Sequence, residues 1–350
     1  MLRRVQKLTG MTLSLVLPIV VVSVSHCTFA FTPALLKRSI LSANSMTHHR
    51  SASLKPYIET LIAGDRHLTS DETEAAFAQI LQGADDVQVA SLLTLLRARG
   101  ETPSEIAGMV KAMNAACNRV DLGAGTKALD IVGTGGDGAD TINISTASVV
   151  LAAAAGCTVA KAGNRSVSSA CGSADVLEAL GVKVDLTPAQ VVECVKQVNV
   201  AFMFAPVNHP AMRFVAPVRS KLGVRTCFNI LGPMTNAAGA QHAVIGVFHP
   251  ELMPLMAGAL KEVGKVDHVV VIHGKGLDEI SPLGPATLLE VSNFCFAWKM
   301  TAAFVTFGVL HTVLYSQLFC MFFFALLSTT TVDQKFSSSW RTKNLHRTCV

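Results

Sequence analysis

The sequence has no Cys-x-x-Cys pair, although it contains nine cysteines. They stand singly, at positions 27, 117, 157, 171, 194, 227, 295, 320 and 349. Structural zinc sites and small disulfide-bonded scaffolds need cysteines at short, paired spacings, so the pattern argues against both. It favours a reducing compartment, in which each cysteine is a small buried apolar side chain.

Acidic residues are absent from the start of the chain. No Asp or Glu precedes Glu59, whereas seven Lys and Arg residues do. From Glu59 to Asn293, by contrast, 23 acidic residues outnumber 17 basic ones, a balance of −6. Nucleic-acid binding needs a basic surface, so we expect no nucleic-acid partner for this part of the protein.

The acid-free start is typical of a bipartite targeting leader. Residues 1–30 have the parts of a signal peptide: the basic stretch "MLRRVQK", the apolar run Leu15–Val24, and small residues in "TFA" for cleavage. Residues 31–53 are Ser-rich and basic, as transit peptides are. With Phe31 after the cleavage site, the two segments resemble plastid-targeting leaders of algae with secondary plastids. We expect a plastid protein; a secretory signal or a membrane anchor is the alternative.

Residues 54–122 have the pattern of a small helical domain. Capping-box pairs, Thr69 with Glu72 and Thr102 with Glu105, begin two predicted helices. Between them, "DDVQVASLLTLLRARG" repeats apolar residues at helical spacing and stops at its final glycine.

Residues 123–293 change to alternating strands and helices. The runs "ALDIV", "CTVAKAGN", "HAVIGV" and "HVVVIHG" are predicted strands, and "INISTASVVLAAAAG" and "SADVLEALG" are predicted helices. This alternation predicts a mostly parallel sheet with ligand loops at the carboxyl ends of its strands. The expected fold class is α/β, with a small helical domain and a larger, mostly parallel α/β domain.

A glycine-rich loop follows the first of these strands. In "DIVGTGGDGADTINIST", residues 130–146, four of the six positions 133–138 are glycine. Bare backbone between a strand and a helix lets N–H groups approach phosphate oxygens, and the helix N-terminus adds partial positive charge. The loop matches neither a Walker loop nor G-x-G-x-x-G, which disfavours both common nucleotide-binding folds. By itself the loop is equally consistent with a structural turn.

Three further segments carry polar residues. "KAGNRSVSSACGSADVLEALG" begins at Lys161, "APVRSKLGVRTCFNILGPMTN" contains Arg219, and "HGKGLDEISP" contains Asp278 and Glu279. In proteins, Mg²⁺ is usually held by one or two carboxylates together with substrate phosphates, which suits an acidic pair on a Gly/Pro-rich loop. A solvated turn is the other explanation of that pair.

These four segments, in this order, closely resemble the anthranilate phosphoribosyltransferase family over about residues 54–293. The resemblance implies a helical domain joined to an α/β domain, with phosphoribosyl pyrophosphate and Mg²⁺ held between them, usually in a homodimer. The implied reaction transfers the phosphoribosyl group to the amine of anthranilate, in tryptophan biosynthesis.

The resemblance also implies roles for single residues. The implied catalytic residues are Lys161, Arg219, Asp278 and Glu279, and the implied metal-associated ones are Ser145, Asp278 and Glu279. Asn164 and Arg219 match residues that hold anthranilate, and His209 matches the lining of the substrate tunnel. The other implied substrate-binding positions, mostly for phosphate, are Gly133, Gly136, Asp137, Thr141, Asn143, Ser145, Thr146, Lys161, Arg165, Ser166, Ser168, Ser169 and Ser173.

The chain departs from the family pattern at two places. Where the family reads Lys-His-Gly-Asn, this chain has Ala162 after Lys161, so a ring that contacts the aromatic substrate is missing. The resemblance stops near "LLEVSN", and residues 294–350 form an apolar tail with 9 of the 17 Phe, both Trp, one Gly and no Pro. A translated intron or frame error would account for this tail and predicts a truncated domain and an inactive product. Alternatively, the uncharged run "FVTFGVLHTVLYSQLFCMFFFALL" is long enough to cross a bilayer, and only then would the protein contact a membrane.

Two other functions remain open from the sequence. A nucleoside phosphorylase of the same fold would share a lysine and a Ser/Gly-rich phosphate loop, and a non-catalytic relative would bind nucleic acid. The segments around Asn164, Arg219 and the acidic pair together favour the transferase. The acidic balance of the body argues against nucleic-acid binding.

Overall fold

The structure, a computed structural model, describes residues 53–139, 141–166, 171–281, 284–292 and 296–302. The predicted leader up to residue 52 and the tail from residue 303 lie outside the described residues. So does the apolar run at 304–327 that was considered as a membrane span. Within the described part, no helix combines the length and hydropathy needed to cross a bilayer.

Four helices open the described chain: α1 (Lys55–Ala63), α2 (Ser70–Ile80), α3 (Asp86–Arg99) and α4 (Pro103–Ala115). Both predicted capping boxes are present, at the starts of α2 and α4, which confirms those two helix starts. Helices α2 and α4 cross closely at Gly108, where a Cβ atom would lie 2.2 Å from the carbonyl oxygen of Ser70. Glycine at this position therefore sets how near the two helix axes approach.

The rest of the described chain alternates strands with helices, as predicted. In chain order the elements are β1 (Leu129–Gly133), α5 (Ile144–Ala154), β2 (Val159–Gly163), α6 (Ser173–Ala179), α7 (Pro188–Val198), β3 (Val200–Phe204), α8 (Ala205–Asn208), α9 (Met212–Leu222), α10 (Phe228–Leu231), a 3-10 turn (Gly232–Met234), β4 (His242–Gly246), α11 (Leu252–Val263), β5 (His268–Gly274), β6 (Ala286–Ser292) and β7 (Phe296–Ala302).

These strands form a seven-stranded sheet in the order β3-β2-β1-β4-β5-β6-β7. The first five strands in this order are parallel, and β6 pairs antiparallel with both β5 and β7, which confirms the predicted mostly parallel α/β class. Strands β2 and β3 follow one another on one side of β1, and the chain then crosses to the other side of β1 to form β4 and the later strands. In open α/β sheets a ligand crevice forms at such a reversal, outside the carboxyl ends of the strands.

The largest core cluster joins the helical layer to one face of the sheet. It contains side chains from α1 to α4, from β4 and β5, and from the later helices α9, α10 and α11. The rings of Phe77 in α2 and Phe228 in α10 lie 5.5 Å apart. The helical layer is therefore built from two separate stretches of sequence, only the first of which was evident from the helical pattern at 54–122.

Candidate active site

The loop after β1 is held against the loop after β5. The backbone N–H of Gly135 donates to Oδ2 of Asp278 at 2.8 Å. A Cβ atom on Gly133 would lie 2.4 Å from the same oxygen, and one on Gly246 would lie 1.7 Å from the carbonyl oxygen of Asp278. Only glycine at the ends of β1 and β4 leaves room for the acidic segment at this edge of the sheet.

Two carboxyl groups, those of Asp278 and Asp137, lie close together at this edge. Asp278 is 9% exposed, and burial together with the nearby Asp137 carboxylate raises its pKa, although the Gly135 N–H opposes that change. Oδ2 of Asp137 is buried and receives no hydrogen bond from the described residues. A cation at this edge would be a partner for these carboxylate oxygens, so the residues present fit a bound metal ion. In the described part of the chain, no three His, Cys, Asp or Glu side chains are grouped so that they could hold a metal ion by themselves.

Lys161, on β2, is buried with its ammonium group directed at the same edge. Its Nζ donates to the carbonyl oxygen of Ile131 at 2.6 Å and to Oγ of Ser145 at 3.4 Å. Burial lowers the pKa of Lys161, and the carboxylates of Asp130 and Glu279 oppose that change. The predicted lysine and the predicted metal-associated residues are thus brought together.

Polar side chains separate β1 from β2 beyond their first pair of residues. The two strands pair only at Leu129 and Val159, whereas β1 pairs with β4 along its whole length. In the gap, Nδ2 of Asn236 donates to Oδ2 of Asp130 at 2.7 Å and to the Ala160 carbonyl at 2.9 Å, and the Ala162 N–H donates to Oδ1 of Asp130 at 3.2 Å. Burial raises the pKa of Asp130 to about 6, although Lys161, Asn236 and Ala162 oppose the shift. These side chains replace ladder hydrogen bonds and leave space at the strand ends for the lysine ammonium.

Helix α5 presents an open N-terminus beside this lysine. Its N-cap, Asn143, makes no capping bond and instead donates weakly to the Gly172 carbonyl at 3.5 Å. In the first turn, Oγ1 of Thr146 donates to Oγ of Ser173 at 2.9 Å. Thr141 lies exposed ahead of the helix. Uncapped N–H groups and the helix dipole together favour an anion at this end.

The turn after β2 is organised by α6. Arg165 is paired with Asp175 at 3.1 Å and with Glu178 at 2.8 Å, and the Ser166 N–H donates to Asp175 at 3.0 Å. Oδ1 of Asn164 accepts the Arg165 N–H at 2.8 Å. The charge of Arg165 is therefore matched inside the turn. Ser168 and Ser169, which belong to the same predicted phosphate segment, lie outside the described residues.

Of the three residues predicted to hold the aromatic substrate or to line its tunnel, Arg219 and His209 contact other parts of the fold. Arg219, half-buried in the last turn of α9, places its guanidinium 5.6 Å from the ring centre of Phe228 and has no acidic partner among the described residues. Burial lowers its pKa. Nε2 of His209 lies 2.8 Å from the Thr235 carbonyl, and burial lowers the pKa of this histidine. An unpaired guanidinium resting on an aromatic face suits a planar carboxylate ligand.

Comparison with known proteins agrees with this geometry. Residues 125–302 match the model of the glycosyl transferase family, a/b domain, and residues 55–117 match that of the glycosyl transferase family, helical bundle domain. An anthranilate phosphoribosyltransferase of Methanosarcina acetivorans is 51% identical over 240 residues, which are 69% of this chain and 64% of that protein. One of Chlamydia felis is 46% identical over 240 residues, 69% of each chain. The chain belongs to the anthranilate phosphoribosyltransferase family.

Solved structures of the family superpose on the described fold. The crystal structure of the Thermus thermophilus anthranilate phosphoribosyltransferase, 45% identical, gives a TM-score of 0.64 over 70% of this chain and 72% of that one. A Saccharomyces cerevisiae anthranilate phosphoribosyltransferase in complex with PRPP and Mg, 30% identical, gives 0.66 over 72% and 74%. The resemblance inferred from the sequence is confirmed. The chain spans 64% of the length of the Methanosarcina acetivorans relative.

Three residues that shape this site were not predicted from the sequence. Asp130 and Asn236 fill the gap between β1 and β2, and Arg225 donates to the Gly136 carbonyl at 2.6 Å. A charged residue inside the apolar strand "ALDIV" was a signal that could have identified Asp130. Asn236 and Arg225 carry no comparable local signal, because their partners are remote in sequence.

Proposed function

We propose that this protein transfers the phosphoribosyl group of phosphoribosyl pyrophosphate to the amine of anthranilate, giving N-(5-phosphoribosyl)anthranilate and pyrophosphate, in tryptophan biosynthesis. The observation that carries the proposal is the meeting, at one sheet edge, of a glycine loop, a buried lysine and an acidic pair. The Saccharomyces cerevisiae relative in complex with PRPP and Mg supports the same assignment.

The acidic edge suits Mg²⁺. Asp278 and Glu279, with the hydroxyl of Ser145, would hold the ion. The carboxyl group of Asp137 lies close to that of Asp278 and would be a further oxygen ligand. Bound Mg²⁺ neutralises negative charge on pyrophosphate oxygens. Loss of the ion would leave the carboxylates and the phosphates to repel each other.

The negative charge that develops on the departing pyrophosphate is the main charge that this site must stabilise. As the C1–O bond of the ribose breaks, the electron pair leaves with pyrophosphate, and the Lys161 ammonium and the loop N–H groups are placed to stabilise it. The amine lone pair of anthranilate forms the new C1–N bond, and the nitrogen then gives up one proton, which the departing pyrophosphate or water accepts. An aromatic amine is uncharged at neutral pH, so positioning contributes more than a strong base.

Arg219 is the residue that we assign to the anthranilate carboxylate. Its guanidinium has no acidic partner within the described ranges and rests on the ring of Phe228. A charge-assisted contact of this kind contributes about 1.5–3 kcal/mol. The nitrogen Nε2 of His209 is already engaged by Thr235, which favours a lining role for that residue over proton transfer.

Turnover is tested by following the fluorescence of anthranilate. The full chain with phosphoribosyl pyrophosphate and Mg²⁺ should remove the anthranilate signal, and omission of phosphoribosyl pyrophosphate should abolish the loss. A parallel assay with nucleosides and inorganic phosphate tests the phosphorylase alternative. Nucleoside cleavage without any loss of anthranilate would contradict the proposal.

A homodimer is a further part of the proposal. The helical layer exposes large apolar side chains, Ile62 on α1 at 66% and Val87 on α3 at 72%, which a second copy of the chain would cover. Size-exclusion chromatography with light scattering measures the mass directly. A monomeric mass at assay concentration would argue against the dimer.

Delivery to a plastid is proposed from the leader. The apolar signal-type run followed by the acid-free segment at 31–53 supports it. A fluorescent reporter fused to residues 1–53 should reach the plastid of a suitable algal cell, and deletion of 31–53 should leave it in the secretory system. A reporter that stays in the cytosol would contradict both steps.

A further inference from the structure

Arg225 contacts the glycine loop one residue beyond the Gly135 N–H that Asp278 accepts. Its Nη2 donates to the Gly136 carbonyl at 2.6 Å, and its guanidinium lies 4.3 Å from the ring centre of Phe248. A Cβ atom at Gly136 would lie 3.1 Å from the same nitrogen, and Gly136 has a φ of +79°. The left-handed backbone favours glycine there, and a larger side chain would also crowd the Arg225 guanidinium.

Phe248 is itself tied to the loop. Its backbone N–H donates to Oγ1 of Thr134 at 3.1 Å. Phe248 therefore contacts the loop at Thr134 and Arg225 contacts it at Gly136. Between them, the Gly135 N–H donates to Asp278. Three successive loop residues are thus fixed by partners from three other segments of the chain.

The charge of Arg225 is directed at this loop. The side chain is exposed and has no acidic partner in the described part of the chain, unlike Arg165, which is paired with two carboxylates. Because a trans peptide points its C=O and N–H in opposite directions, fixing the Gly136 carbonyl toward Arg225 turns the Asp137 N–H away from it. The contact thereby sets the direction of an N–H group in the loop.

We propose that Arg225 is a positioning residue: through Gly136 and Phe248 it holds the glycine loop in the conformation that receives pyrophosphate. The pyrophosphate part of this inference rests on the proposed function, whereas the ordering of the loop does not. Arg225 acts on the ligand through the backbone of the loop.

Hydrogen–deuterium exchange of the full chain tests the ordering without any ligand. Arg225→Gln should raise exchange in a peptide covering 133–139 by about two- to fivefold, which corresponds to the loss of an exposed cation–π contact. Arg225→Lys should give a smaller increase, and so should Phe248→Leu, which removes the ring beneath the guanidinium. Exchange identical to that of the unaltered chain in Arg225→Gln would overturn the proposal.

Arg213→Gln is the matched control. Arg213 is also exposed and stacks on an aromatic ring, that of Phe214 at 4.7 Å, but it makes no hydrogen bond to the glycine loop. This variant should leave exchange at 133–139 unchanged. An equal rise in both variants would show a general loosening of the surface and would contradict a specific role for Arg225.

Kinetics add a readout that general destabilisation would not reproduce. Arg225→Gln should raise the KM for phosphoribosyl pyrophosphate by about two- to fivefold and leave the KM for anthranilate unchanged. A change confined to anthranilate would overturn the role. If the unaltered chain has no turnover with phosphoribosyl pyrophosphate, the proposed function fails, while the exchange comparison still decides whether Arg225 orders the loop.

Discussion

The Gly135 N–H donates to Oδ2 of Asp278 at 2.8 Å and so joins two loops that are 143 residues apart in sequence. One loop offers bare backbone to phosphate oxygens, and the other carries the acidic pair. Their direct contact means that a phosphate group and its metal ion would be bound by one connected structure. A change in either loop should therefore affect both ligands.

Removing both charges of the acidic pair should abolish metal-dependent turnover. Asp278→Asn with Glu279→Gln should lower activity by about two orders of magnitude or more, because the pyrophosphate would lose its cation. The steady-state rate with and without EDTA measures this. Asp185→Asn with Glu193→Gln, two exposed acids elsewhere, is the control and should keep full activity. Undiminished turnover in the first double variant, or in EDTA, rules the metal assignment out.

A single methyl group at the end of β4 should displace the acidic segment. In Gly246→Ala the new Cβ would lie 1.7 Å from the Asp278 carbonyl oxygen, so that segment has to move. We expect a loss of about 1–3 kcal/mol of stability, together with loss of activity. Gly232→Ala is the matched control, because nothing lies within 4 Å of a Cβ atom there and its φ of −48° suits alanine. Equal activity of the two variants would contradict the placement of Asp278 against β4.

Ala162→His should lower the KM for anthranilate. Ala162 is half-buried at the end of β2, beside the predicted substrate residue Asn164, and an added ring would contact the aromatic substrate. The KM for phosphoribosyl pyrophosphate, measured in the same variant, is the internal control and should not change. If the KM for anthranilate stays constant, or only the KM for phosphoribosyl pyrophosphate changes, the assigned geometry is wrong.

Stability should fall on acidification because of His242. This histidine is buried, and neither of its ring nitrogens has a hydrogen-bond partner among the described residues. Burial lowers its pKa against the opposing charge of Asp267, and Lys127 and His268 lower the pKa further. As the pH falls, His242 therefore takes up a proton in the unfolded chain at a higher pH than in the folded protein. The free energy of unfolding should decrease as the pH falls below about 6.5, the pKa of histidine in the unfolded chain. Urea unfolding at pH 7.5 and pH 5.5 measures the difference.

His242→Leu should flatten this pH dependence and raise stability at pH 7.5 by about 1 kcal/mol, since two unpaired buried nitrogens are removed. His249→Gln, at an exposed position, should leave the slope unchanged. If the free energy of unfolding of His242→Leu still decreases on acidification as in the unaltered chain, another group causes the pH dependence.

Local signals in the sequence were enough to locate the helix starts and the strands. Each capping box is a set of bonds between residues three apart, such as Thr69 with Glu72, and the apolar runs of the strands report burial on both faces. The glycine loop and the acidic pair were also recognisable, because each is a short continuous segment of unusual composition. For the same reason the family was evident before the fold.

Tertiary packing alone decided how those segments meet. Asn236 reaches Asp130 across 106 residues and Arg225 reaches Gly136 across 89, and neither pairing has a counterpart in sequence spacing. Arg165, predicted to bind phosphate, is paired with Asp175 and Glu178 because α6 folds back beside it. Periodicity and caps depend on neighbours along the chain and are encoded there. The partner of a polar side chain depends on strand order and helix packing, which only the assembled sheet determines.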